Sequence, residues 1–312
     1  MMLLEVEGLE KSFIKDRVRF SAVDGVSFTI AEGECFGLIG ESGCGKSTVA
    51  RLIARLLKED KGSIRFLGKD LTKKAGEKQV RRAMQMIFQN PTDSFDPRYS
   101  LLDSVKQGLR FLEKVPKEEL DRLAKEAIAF VGLKESYYRQ PVHQLSGGEC
   151  QRAAIARAIL GNPQLIICDE ATSALDVSVQ AQVLNLFNQL KWEFDLTYLF
   201  ISHDLSVVKF VSDTIIVMYM GEMMEMASTN ELFQTPAHPY TQALISAIPD
   251  PNPLAKKQRI LLEGDIPSPV DPPIGCRFAS RCQKARQRCH EEHPQLTELC
   301  PGHAVRCLFA NE

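Results

Sequence analysis

Residues 40–48 read GESGCGKST, and the sequence on either side decides what they are. Upstream, "ECFGLIG" (34–40) is a compact apolar run of strand length. Downstream, "TVARLIARLL" (48–57) repeats apolar residues at helical spacing. A strand, a glycine turn and a helix follow in that order. Within the turn, Gly40, Gly45, Lys46 and Ser47 match G-x-x-x-x-G-K-S/T. Glycines let the backbone curl so that its N–H groups surround phosphate oxygens, and the helix start adds partial positive charge. Lys46 can reach the β- and γ-phosphates, and the Ser47 hydroxyl can ligate Mg²⁺. The reading is a nucleoside-triphosphate site built from Gly40, Glu41, Ser42, Gly43, Cys44, Gly45, Lys46, Ser47 and Thr48. The plain alternative is a glycine-rich turn that fits by accident, and the flanking strand and helix argue against it.

Working outward, the first thirty residues alternate in a strand-like way, in "LLEVEGLEKSF" and "VRFSAVDGVSFTI". "GSIRFLG" and "AMQMIFQ" read as further strands. From about 90 to 162 the sequence turns helix-forming and charged. There "EELDRLAKEAIAFVGL" places Leu120, Leu123, Ala124, Ala127, Ile128 and Val131 on one face. Strand-like "QLIICDE" then returns, followed by a helix with Val179, Val183, Phe187 and Leu190 in one stripe. The strand "TYLFISHD" and a short hairpin, "TIIVMYMGEMMEM", come next. Alternating strands and helices predict an α/β core with a mostly parallel sheet. To that core the sequence adds an N-terminal antiparallel β part, an inserted helical subdomain at about 90–162, and a small Cys-rich C-terminal extension. The expected division is 1–248 for the core domain, 249–275 for a Pro-rich strap and 276–312 for the Cys-rich tail.

The 312 residues carry 38 basic and 40 acidic side chains, a balance that argues against a general nucleic-acid binder. No apolar run is long enough to span a bilayer, and the start lacks the basic and apolar regions of a secretory signal. A chain that works in the cytosol, with reduced thiols, is the expectation.

"LIICDEATSALD" (165–176) supplies what the phosphate loop lacks. Asp169 emerges at the end of a buried strand, where it can hold Mg²⁺, and Glu170 is placed to accept a proton from an attacking water. Adjacent carboxylates after a strand are most often a solvated strand end, and the upstream loop reverses that weighting. His203, in "FISHD", ends a neighbouring strand and can hydrogen-bond a γ-phosphate.

"LSGGE" (145–149) narrows the reading further. Together with the phosphate loop, the Asp169–Glu170 pair, "SALD", His203 and Gln89 after a strand, it makes residues 3–235 resemble ABC-type ATPases. That resemblance implies two ATPase domains closing head to tail, with Ser146, Gly147, Gly148 and Glu149 contacting ATP held by the partner and Asp176 crossing the dimer. It implies Gln89 as a sensor of Mg²⁺ and of a transmembrane partner, and an adenine-stacking aromatic near the start, for which Phe13 is the match. Phe13 reads nearly as well as strand core, and a helix-cap role for Ser146 is compatible with contact to ATP. Catalysis falls to Glu170, His203 and Lys46. The signature ends in Glu149 where glutamine is common, and Cys168 stands in place of an aliphatic residue.

"IFQNPTDSFDPR" (87–98), "HPYTQALISAIP" (238–249) and "GDIPSPVDPPIGCRFASRC" (264–282) with "GHAVRC" (302–307) resemble ATPase subunits of oligopeptide, dipeptide and nickel importers. This implies an ATPase at the cytoplasmic face of the plasma membrane, held there by two permeases. A second, homologous ATPase chain and an extracytoplasmic solute-binding protein complete the complex, with 90–98 facing the permease.

Five of nine cysteines lie within residues 276–307. Spacing alone leaves zinc, an iron–sulfur cluster and a metal-free set of thiols open, and the close C-x2–4-C pairs of zinc sites are missing. The importer resemblance implies a 4Fe–4S cluster, with Zn²⁺ the alternative, on Cys276, Cys282, Cys289 and Cys307. Cys300 is then extra and His303 is no obvious ligand. Cys35, Cys44, Cys150 and Cys168 read as small packing residues.

Overall fold

The computed structural model describes residues 1–72, 77–249, 259–264, 267, 268, 270 and 272–310. Its strands are β1 (Met2–Lys15), β2 (Val18–Ala31), β3 (Cys35–Ile39), β4 (Lys61–Phe66), β5 (Lys69–Asp70), β6 (Met84–Ile87), β7 (Leu165–Asp169), β8 (Thr197–Ser202), β9 (Thr214–Tyr219), β10 (Glu222–Ser228), β11 (Thr297–Cys300) and β12 (His303–Val305). Its helices are α1 (Lys46–Ile53), α2 (Glu77–Ala83), α3 (Leu101–Arg110), α4 (Lys117–Phe130), α5 (Gly147–Ile159), α6 (Val177–Phe194), α7 (Leu205–Val211), α8 (Thr229–Gln234), α9 (Pro239–Ser246) and α10 (Gln287–Glu291).

Two compact units share the chain. The first takes 1–3, 30–35 and 66–201, and its centre is the parallel run β6–β7–β8, with Ile87 opposite Cys168 and Asp169 opposite Ile201. All residues of β7 and β8 are buried, as parallel strands covered on both faces require, which is why they read as unbroken apolar runs. The charged helical stretch belongs to this unit as α3, α4 and α5, with short 3₁₀ turns before α3 and between α4 and α5. On α4 the expected face is buried at Leu120, Ala124, Ala127 and Ile128, with Val131 just beyond, while Leu123 is half-buried. On α6, Val183, Phe187 and Leu190 are buried, and Val179 is only half-covered.

The second unit takes 4–29, 36–65 and 202 onward. Here β3 pairs in parallel with β9, and β9 turns back into β10 through Met220 and Gly221, both at positive φ as a tight hairpin turn demands. β10 pairs antiparallel with β12, and β12 with β11, so the C-terminal hairpin extends the same sheet. Strands β2, β1 and β4 lie side by side in a second sheet.

The compact units part the chain differently from the expected division at residue 248. The Cys-rich segment shares a unit with the phosphate loop because β12 adds to β10 and Phe278 is buried against Tyr219, Tyr240 and His238. Of the expected strap, 250–258, 265, 266, 269 and 271 lie outside the described residues. Among the described residues, no helix is long and apolar enough to cross a membrane.

Candidate active site

The phosphate loop runs from β3 into α1. Gly40 (φ 151°) and Gly45 (φ 107°) cannot be replaced: an added Cβ would lie 2.2 Å from the Met218 carbonyl oxygen and 2.1 Å from that of Ala22. Lys46 is buried, and its ammonium donates to the carbonyls of Gly40 (2.7 Å) and Glu41 (3.0 Å) and lies 3.7 Å from Cys44 Sγ. The cation is thus held inside the loop's own curl. Burial pushes the Cys44 thiol pKa up, so it packs as a neutral group, in line with its expected role. Ser47 and Thr48 begin the helix half-buried, while Ser42 and Gly43 are exposed at the loop tip.

Glu41 is more than a spacer. Its N–H donates to the Tyr240 hydroxyl at 3.0 Å. Its carboxylate accepts from the two terminal guanidinium nitrogens of Arg281, at 2.6 and 3.0 Å. A second brace comes through the β9–β10 turn, where the Gly221 N–H donates to Cys44 O at 2.9 Å and Arg277 bonds Met220 O and the Asp24 carboxylate. The Cys-rich segment therefore fixes the loop twice, a role the sequence reading did not find.

Phe13 on β1 is half-buried and tilts against Phe20, ring centroids 6.0 Å apart, with the Lys11 ammonium 5.8 Å from its centre. His203 follows β8 and is exposed; next to it Ser202 accepts the Asp204 N–H, and Asp204 caps α7.

In the other unit, Asp169 ends β7 almost fully buried. Glu170 follows with φ 50°, a left-handed backbone uncommon for a non-glycine residue, and its N–H donates to Ile201 O. This kink turns the chain sharply out of β7. The Gln89 amide, two residues past β6, donates to Glu170 Oε2 at 2.8 Å, so parallel neighbours bring together two residues the sequence reading named separately.

Ser146 caps α5, accepting from the Glu149 N–H, and Glu149 Oε2 accepts in return from the Ser146 N–H (2.9 Å) and hydroxyl (2.8 Å). Those bonds hold the Glu149 carboxyl below its usual pKa, and they explain why glutamate suits that position. Gly148 is a packing requirement, since a Cβ there would sit 2.4 Å from Val179 Cγ1. Gly147 has no such neighbour and stays exposed. Asp176 caps α6 through the Val179 N–H (3.0 Å) and also accepts the Ser178 hydroxyl, which lowers its pKa.

The remaining thiols fall into two groups. Cys35, Cys150 and Cys168 are buried in the core. Cys276, Cys282, Cys289 and Cys307 all line one cavity of about 740 Å³, with Lys284 and Arg286 in its wall. Gly275 and the Cys276 N–H, which donates to Cys289 O at 2.7 Å, bring two of them together. Burial raises the pKa of Cys276 to about 11, and raises those of Cys282 and Cys307. No three of these four sulfurs lie within 4.8 Å of one another.

A lysine phosphate loop, a buried aspartate followed by a glutamate, and a capped glycine signature define an ATP-hydrolysing cassette. Comparison with known proteins agrees. The ABC transporter family matches residues 23–173, and the oligopeptide/dipeptide transporter C-terminal region matches 224–289. The oligopeptide transport ATP-binding protein AppF of Bacillus subtilis is 48% identical, over 92% of this chain and 88% of its own. The corresponding OppF of Salmonella typhimurium is 45% identical over 98% and 96%. Among solved structures, the ATP-binding cassette MJ0796, a dimer bound to ADP and phosphate, superposes with a TM-score of 0.67 at 28% identity, covering 72% of this chain and 98% of that one. The protein belongs to the ATP-binding subunits of ABC transporters and carries the C-terminal region of their oligopeptide/dipeptide branch. It is an ATPase coupled to transport.

Proposed function

We propose that this subunit hydrolyses ATP to drive import of oligopeptides or dipeptides. The observation that carries the reading is the near-full-length likeness to peptide-transport subunits, C-terminal region included. In this reading the phosphate loop and Lys46 bind the triphosphate, Ser47 and Asp169 serve as Mg²⁺ ligands, Gln89 senses the metal and orients Glu170, and His203 contacts the γ-phosphate. Mg²⁺ supplies charge neutralisation on the phosphates. Glu170 takes the proton of the attacking water. Ser146, Gly147, Gly148 and Asp176 face ATP held by a second, homologous ATPase chain.

Two permeases carry the solute, and an external binding protein delivers it. The permease's cytoplasmic helix docks beside 90–98. A cavity of about 260 Å³ there is lined by Thr92, Asp93, Phe95, Pro97, Val142 and His143. Arg157 stiffens its floor, bonding Ser94 twice at 2.7 Å and lying 4.2 Å from the Phe95 ring centre. Such docking holds the chain at the cytoplasmic face of the membrane. Cys276, Cys282, Cys289 and Cys307 hold a 4Fe–4S cluster that staples the tail, and Lys284 and Arg286 offset its negative charge. Growth of a strain lacking this subunit tests the substrate. Loss of growth on defined peptides supports the reading; normal peptide use with failure under nickel limitation would turn it to a nickel importer.

A further inference from the structure

Cys300 and His303 close the β11–β12 hairpin, facing each other across Pro301 and Gly302. They form a C-x-x-H pair that the four-cysteine reading leaves over. Glu231, in the first turn of α8, reaches the same point: its Oε1 lies 3.2 Å from Cys300 Sγ and 3.2 Å from His303 Nδ1. The three donor atoms lie within 4.8 Å of one another. A tetrahedral zinc ion with ordinary bond lengths spaces sulfur, nitrogen and carboxylate donors about 3.4–3.6 Å apart. His303 also carries an outer partner. Its Nε2 meets the fully buried Glu225 carboxylate at 2.8 Å, and Glu225 is itself anchored by the N–H groups of Ala237 (2.7 Å) and His238 (2.9 Å). With Nε2–H donating to Glu225, the ring turns the Nδ1 lone pair toward Glu231 and Cys300. This is the carboxylate–histidine arrangement that orients metal-bound imidazoles.

We propose that Cys300, His303 and Glu231 bind a zinc ion, in a site outside the four-cysteine set. Binding replaces the thiol proton: Zn²⁺ and Cys300–SH give a zinc–thiolate bond and one released proton. The thiolate and the Glu231 carboxylate then neutralise the ion's two charges. Exposed Cys300 and half-buried Glu231 give the ion a path in, and a water completes its fourth position. The mixed sulfur, nitrogen and oxygen set selects a borderline ion such as zinc over Mg²⁺ or Ca²⁺. Zinc here ties the hairpin tip to α8.

The test uses the full chain, purified anaerobically with the other cysteines intact and equilibrated against buffered Zn²⁺, with Co²⁺ as a spectroscopic probe. Wild type is expected to hold one zinc more than Cys300→Ser at unchanged iron content, and to show a thiolate–cobalt charge-transfer band that the variant lacks. Glu231→Gln should weaken that equivalent by at least about 10–100-fold, the loss that removing even an outer partner causes. Zinc content and cobalt spectrum unchanged in Cys300→Ser, or undiminished zinc affinity in Glu231→Gln, would overturn the assignment. The second variant keeps the test sharp should the first disturb the hairpin.

Discussion

Replacing Arg281 with methionine keeps the length of the side chain and removes the fork that grips the phosphate loop. Arg281 is buried, and its guanidinium donates twice to Glu41 and once to the Tyr219 hydroxyl at 3.3 Å. Losing one partner of a buried ion pair costs about 3–5 kcal/mol when the other charge stays dry. The Glu41 side chain keeps 24% of its surface in water, so it recovers part of its hydration and about 2–3 kcal/mol remains. For 312 residues at about 2.1 cal/mol/K each, the unfolding entropy is about 0.65 kcal/mol/K. The nucleotide-free Arg281→Met protein should therefore melt about 3–5 °C below wild type by calorimetry. Glu41→Gln, alone and combined with Arg281→Met, completes the cycle, and the double variant should lose clearly less than the sum of the single losses. Strict additivity, or a single-variant shift under about 1 °C, refutes the idea that the tail holds the loop through this pair.

Glu170→Gln should retain ATP binding, since Gln89 can still donate to the new amide oxygen, while steady-state hydrolysis falls by about 10²–10⁴-fold; rapid turnover by the purified variant would remove Glu170 from its role. Gly148→Ala should cost about 1–3 kcal/mol in urea unfolding because its methyl meets Val179, and Val179→Ala should relieve part of that loss. Gly147→Ala, with no atom nearer than 3.7 Å, should leave stability unchanged, so any fall in ATPase activity it causes reports on the signature's contact with nucleotide. Burial lowers the pKa of His238 from 6.5 to about 3, so the unfolded chain takes up a proton there that the folded one refuses. Its contribution is present above about pH 6.5 and is lost as pH falls toward 3, about 2 kcal/mol between pH 7 and 5. His238→Asn, which keeps a cap for α9, should flatten the acid loss by that amount; an unchanged pH profile of stability would contradict it.

What could be read in advance was local. The phosphate loop is nine consecutive residues, and Gly40 and Gly45 sit where backbone crowding admits nothing larger. The capping box at Ser146 and Glu149 spans four residues and is written in LSGGE. The parallel strands announced themselves as apolar runs because burial on both faces leaves no polar alternation. Gln89 and Glu170 were nameable singly, but their bond arises from β6 lying beside β7, a pairing between segments 81 residues apart. The seating of the tail was invisible for the same reason: Arg277 and Arg281 look like two more surface cations until β12 joins β10. Cys300 and His303 stand out in the sequence as left over from the four-cysteine set, and nothing local points to Glu231, which lies on a helix 69 residues upstream of Cys300.

The Glu41–Arg281 pair also carries a timetable. A ribosome that has just added Glu41 must add 240 further residues before the arginine exists. At about 5–20 residues per second, that is about 12–48 s. Through that interval the loop carries an unanswered carboxylate beside its lysine, and its second brace, through Arg277, is missing as well. The nucleotide site of a newborn chain is finished from the C-terminus. A transcript truncated ahead of the last forty codons would yield a cassette with every catalytic motif present and its phosphate loop unmoored.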